Sequence, residues 1–118
     1  MSERRPSSNS AGVRFLDWNQ VIQSLRETVA DAKARHPEIV QVWLFGSLVE
    51  GAWTADSDAD LIIVVRREFK DLFDRSHYQI HSPEIPTDSL VYSEAEFEEL
   101  ARDASSFVAQ NLEKAVEL

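Results

Sequence analysis

Three aspartates, Asp56, Asp58 and Asp60, stand at the head of an apolar run, Leu61-Ile62-Ile63-Val64-Val65. Carboxylates crowded where water is about to be excluded repel one another unless a cation sits among them. In a strand, residues two apart share a face at about 6.6–7 Å. Asp58 and Asp60 would then project together, with Leu61, Ile63 and Val65 on the opposite face. At an effective dielectric near 20 such a pair repels by roughly 2 kcal/mol. Asp88 opens a later β-like stretch and joins them if the two strands are neighbours. Divalent cations reverse the sign of that cost, and Mg²⁺ takes hard oxygen ligands. Two metals on shared carboxylates are one solution for in-line phosphoryl or nucleotidyl transfer. Read alone, Asp56-Ser57-Asp58 is equally a solvated acidic turn.

Two other phosphate or metal motifs fail at defined positions. In an EF-hand loop starting at Asp56 the obligatory glycine would be Leu61 and the bidentate glutamate Arg67. Gly46 and Gly51 have P-loop spacing, but Ala52-Trp53 follows in place of Lys-Ser/Thr. What remains is an apolar stretch ending in Gly46-Ser47, then ten residues, then Asp58-Ala59-Asp60. Gly46 lets a phosphate approach the backbone, and Ser47 can offer a hydroxyl and an amide. Trp53, in the intervening loop, either stacks on a base or packs over the sheet.

The elements that must hold these residues read as follows. Asp17 is a candidate N-cap, and Trp18, Val21, Ile22, Leu25, Val29 and Ala32 follow at helical spacing. His36-Pro37 ends that helix, because the residue before proline disfavours the α region. Ile39 to Phe45 and Ala59 to Val65 are β-branched and aromatic with weak alternation, as in strands buried on both faces. Leu48 to Ser57 is an irregular loop or one helical turn. Glu68, Phe69, Leu72, Phe73 and Ser76 suggest a short amphipathic helix, followed through Pro83 by a loop or a partial strand. Thr87 to Tyr92 is a third strand, with Asp88, Leu90 and Tyr92 on one face. Ser93-Glu94-Ala95-Glu96 is a capping box. It opens a helical segment with Phe97, Leu100, Ala101, Ala104, Val108 and Leu112 inward, which Asp103-Ala104-Ser105-Ser106 can split. Ala115 to Leu118 can form an end strand. The order α-β-β-α-β-α is an α+β, or mixed α/β, arrangement: a small mixed sheet flanked by helices.

Length and composition limit the functions open to this chain. Its 118 residues make one domain, expected over 13–118 behind a disordered tail at 1–12. Without cysteine, thiol catalysis, zinc fingers and disulfides are excluded, and a reducing cytoplasm is the expected compartment. No window reaches the roughly 18 apolar residues of a membrane span, and no apolar segment follows the basic start as in a secretory signal. The net charge of −9 argues against direct duplex binding, which relies on lysine and arginine against phosphates. Metal ions can still bridge such a protein to a triphosphate, and a basic protein can pair with it.

Phe45-Gly46-Ser47, ten residues, then Asp58-Ala59-Asp60-Leu61 resembles the nucleotidyltransferases of the DNA polymerase β-like superfamily, and the size resembles its minimal branch. That resemblance implies the polymerase β-like fold over nearly the whole chain. It implies that Asp58, Asp60 and Asp88 are catalytic and bind two Mg²⁺ ions, that Asp88 helps deprotonate the acceptor, and that Gly46 and Ser47 bind the triphosphate. It further implies attack on the α-phosphate with release of pyrophosphate, ATP being the expected donor. Minimal members commonly pair, as antitoxins, with small helical HEPN toxins, and can transfer AMP to a toxin tyrosine. A protein partner is therefore the expected acceptor. The alternatives are a non-catalytic partner-binding module of the same fold and a transferase for a small-molecule acceptor; homo- or hetero-oligomers are open. One departure stands out: family members often carry arginines just after Gly-Ser, where this chain has Leu48-Val49-Glu50 before Gly51.

Overall fold

The computed structural model describes residues 17–51 and 57–118. The expected disordered tail, Trp53 and Asp56 lie outside these residues.

Helix α1 (Trp18–Arg35) begins where the Asp17 side chain accepts from the Asn19 N–H, the cap expected from sequence. It ends at His36, and Lys33 and Arg35 in its last turn face the negative end of the helix dipole. Strand β1 (Ile39–Phe45) leads through Gly46 into a single helical turn, α2 (Ser47–Glu50), closed by Gly51. Strand β2 (Ala59–Val65) follows, then the short helix α3 (Leu72–Ser76) and strand β3 (Thr87–Ser93). Ser93 and Glu96 form the complete capping box that starts α4 (Glu94–Arg102). A break at 103–106 separates α4 from α5 (Phe107–Leu112), and β4 (Val116–Glu117) ends the chain.

The four strands lie in the order β3-β2-β1-β4. β1 is antiparallel to both β2 and β4, whereas β2 and β3 are parallel. The sheet is therefore mixed, with β1 and β2 central and covered on both sides. Val42, Leu44, Leu61, Ile63 and Val65 join Val21, Leu25 and Val29 of α1 in one core. Phe45, Ile62 and Val64 pack on the other face with Phe97 of α4 and Val108 of α5. This two-sided burial is why neither strand alternates in sequence.

Two expected details differ. The helix foreseen from Glu68 is confined to Leu72–Ser76, and Leu72 and Phe73 point outward, 83% and 78% exposed. The cause is Asp74: its carboxylate accepts from the Lys70 N–H and from Arg67, holding the preceding residues in a turn. Phe69 packs against the α1-side core, where Tyr78 and Ile80 from the following loop are buried. Ala104, foreseen as inward, is exposed in the break between α4 and α5.

Candidate active site

The site is assembled at the end of the sheet where β1 finishes and β2 and β3 begin. Phe45 pairs with Asp60 across the antiparallel ladder, and Asp60 pairs with Asp88 across the parallel one. Asp60 shares its sheet face with Ile62 and Val64, the face covered by α4 and α5. Sequence separation told nothing of this juxtaposition; the parallel register creates it.

Gly46 is fitted to Asp60. Its φ of +84° and ψ of −154° form a backbone state that residues with a Cβ avoid. A Cβ placed there would collide with Asp60 Oδ2 and lie 3.2 Å from its Cγ. The glycine therefore both turns the chain and leaves the volume that the carboxylate occupies. Ser47 follows as the first residue of α2, so Gly46, Ser47, Asp60 and Asp88 belong to one locality.

Asp60 is half-buried, and its carboxyl is pushed above the ordinary aspartate value. Loss of solvation is the largest cause, followed by the charges of Asp88 and then Asp58. Asp58 lies one residue before β2 and is exposed, so strand alternation does not fix its direction; its charge nevertheless reaches Asp60. Among the described residues no ion pair engages Asp58, Asp60 or Asp88. Nor, among them, do three acidic or imidazole side chains gather closely enough to hold a metal ion. The donor chemistry nonetheless suits a hard cation: carboxylate oxygens only, one of them disfavoured as an anion by its acidic neighbours.

The segment after Gly46-Ser47 has a structural logic of its own. Leu48 is 2% exposed and belongs to the α1-side core, so that position is given to packing. Val49 packs partly against the same core, and Glu50 is exposed. Lys114, just before β4, lies with Nζ 3.9 Å from Glu50 Oε1. No signal in the sequence singled out that lysine.

Comparison with known proteins agrees with this fold. The family model for the nucleotidyltransferase domain matches residues 25–116, which include β1, α2, β2, β3 and the site. The chain belongs to the nucleotidyltransferase domain family. The resemblance to the polymerase β-like superfamily is thereby borne out, at that level. A crystal structure of a protein from Sulfolobus solfataricus, described as a candidate nucleotidyltransferase, is similar in fold. Its TM-score is 0.56 and its identity 23%, over 70% of this chain and 75% of that one. No curated protein shows a significant match. Among the described residues of this nucleotidyltransferase domain, no helix is long and apolar enough to cross a membrane.

Proposed function

We propose that this nucleotidyltransferase domain transfers a nucleoside monophosphate, AMP from ATP, to a hydroxyl of a protein partner. The observation that carries the reading is the half-buried Asp60, in register with Asp88, beside a glycine whose missing Cβ leaves room for its carboxylate. Asp58, Asp60 and Asp88 would hold divalent metal, Mg²⁺ by the resemblance. When bound, such ions neutralise the triphosphate and the charge that develops on it. Gly46 and Ser47 receive the phosphates at the backbone. The acceptor oxygen attacks the α-phosphorus, its proton passes to the Asp88 carboxylate and on to solvent, and the bond to the bridging oxygen breaks to release pyrophosphate. Positioning and charge complementarity supply most of the acceleration in such a transfer.

The acceptor proposed is a tyrosine of a small helical HEPN-type partner, which makes this chain the antitoxin of the pair; the minimal-branch resemblance supports it. A second reading is a partner-binding module without turnover. Its support is that, among the described residues, no three carboxylates converge to hold a metal. Incubating the chain with ATP, Mg²⁺ and a HEPN partner separates the two. Enzymatic transfer adds the mass of one nucleoside monophosphate to the partner, and Asp58→Asn with Asp60→Asn removes it. No increment, with partner binding unaffected by those substitutions, would establish the binding module. Pyrophosphate release with a small hydroxylated compound and no partner would identify a small-molecule acceptor instead.

A further inference from the structure

The segment Gly46-Ser47-Leu48-Val49-Glu50-Gly51 contains no cation and one carboxylate. A triphosphate seated there meets Glu50 as well as Asp58, Asp60 and Asp88, so even with metal bound the locality is rich in negative charge. The arginines near the sheet are committed at its other end: Arg66 pairs with Glu94, Arg67 with Asp74 and Arg75 with Glu96. Among the described residues, the cation that ion-pairs with α2 is Lys114.

Two observations place this lysine beside the phosphate side of the site. Its ammonium lies 3.9 Å from Glu50 Oε1, and Glu50 sits three residues after Ser47, on the same side of the α2 turn. Independently, β4 pairs with β1 at Leu44↔Val116. Lys114, in the turn that closes α5, is two residues before Val116, and Gly46 is two residues after Leu44, so both lie just beyond the same end of the β1–β4 pairing. The ion pair itself is loose. Its side chains are 71% and 44% exposed, and pairs of that kind are worth little in water. Exchanging Glu50 for a phosphate oxygen therefore costs almost nothing and gains a more highly charged acceptor.

We propose that Lys114 is a triphosphate-binding residue that leaves Glu50 to contact the β- or γ-phosphate, with Glu50 acting as its resting counter-ion. The proposal rests on the nucleotidyltransferase reading above, and on Gly46-Ser47 as its phosphate side. Glu50 then competes with the triphosphate for Lys114.

The test is calorimetric titration of the full chain with Mg²⁺ and α,β-methylene-ATP, and separately with AMP. Lys114→Met should weaken the triphosphate analogue roughly ten-fold, the usual effect of losing one charge-assisted contact, while AMP changes little. Lys114→Arg should restore affinity, and Glu50→Gln should tighten the analogue several-fold. Lys114 is exposed, so these variants should melt as the parent does. Unchanged analogue affinity in Lys114→Met, or equal weakening for AMP, overturns the role of Lys114 while leaving the enzyme reading intact. If the parent chain binds no analogue at all, the nucleotide reading falls, and this proposal with it.

Discussion

The two ends of the sheet treat charge in opposite ways. At the end where β2 finishes, every acidic group of note is answered from within the protein. Tyr78 donates to Glu38 at 2.8 Å and accepts from Arg67 Nη1 at 3.0 Å, while Arg67 also reaches Asp74 at 3.1 Å. Arg75 forks onto Glu96 at 2.7 and 2.8 Å and donates to the Val91 carbonyl. All three carboxyls are held below their ordinary values, Glu38 and Asp74 chiefly by backbone hydrogen bonds (at Asp74 from the Lys70 N–H), with Tyr78 and Arg67 adding to them, and Glu96 chiefly by Arg75. At the opposite end Asp60 is pushed up, by burial and by two more aspartates. One end is finished by folding. The other keeps carboxylates that no cation among the described residues pairs, the arrangement expected of a binding site rather than a structural network.

Asp60→Asn should show the contrast most sharply, because the two properties move in opposite directions. Nucleotidyl transfer should fall by at least about 100-fold. The fold should nevertheless gain a little stability at neutral pH, since a carboxylate held at a raised pKa costs stability once it is charged. That gain should close as pH falls through the raised value towards 3.8. Thermal melts of both proteins across pH check the sign; a less stable variant at pH 7 would break the comparison.

Gly46→Ala is next. Its positive φ and the collision with Asp60 should cost about 1–3 kcal/mol and displace the carboxylate, reducing transfer as well. Gly51→Ala provides the control. It has φ +80° but nothing within 4 Å of the added methyl, so about 1 kcal/mol of stability should go and transfer should remain.

At the finished end, Arg75→Ala should lower stability by about 1–2 kcal/mol and leave turnover nearly unchanged, as denaturant melts and initial rates would report. The smallest effect is in acid. Glu96 is depressed from 4.5 to about 2, with the Arg75 hydrogen bonds as the largest cause. A lowered carboxyl stabilises fully above its unfolded value, and that contribution is lost as pH falls from about 4.5 towards 2. Arg75→Ala should flatten the parent's loss of stability over that window.

Much of this molecule was legible because its signals are local. Asp17 and the Ser93/Glu96 box announce helix starts through hydrogen bonds made within three residues, and both stand as expected. The apolar runs at 39–45 and 59–65 announce strands buried on both faces, and Gly46-Ser47 with Asp58 and Asp60 pointed to the family. The third helix departs from its amphipathic spacing: it spans only Leu72–Ser76, and Leu72 and Phe73 are exposed. Asp74, fixed by Arg67, a residue outside that helix, decided this.

The sequence by itself thus determined the elements, the acidic character of the site and the nucleotidyltransferase family, all carried by neighbours along the chain. Only the tertiary structure decided that β3 runs parallel to β2 with Asp88 opposite Asp60. It alone decided that the gap at Gly46 is the one Asp60 fills, and that Lys114, in the turn between α5 and β4, arrives beside α2. Those relations depend on strand order and register, which are set when distant apolar faces find one another, and no local pattern encodes them.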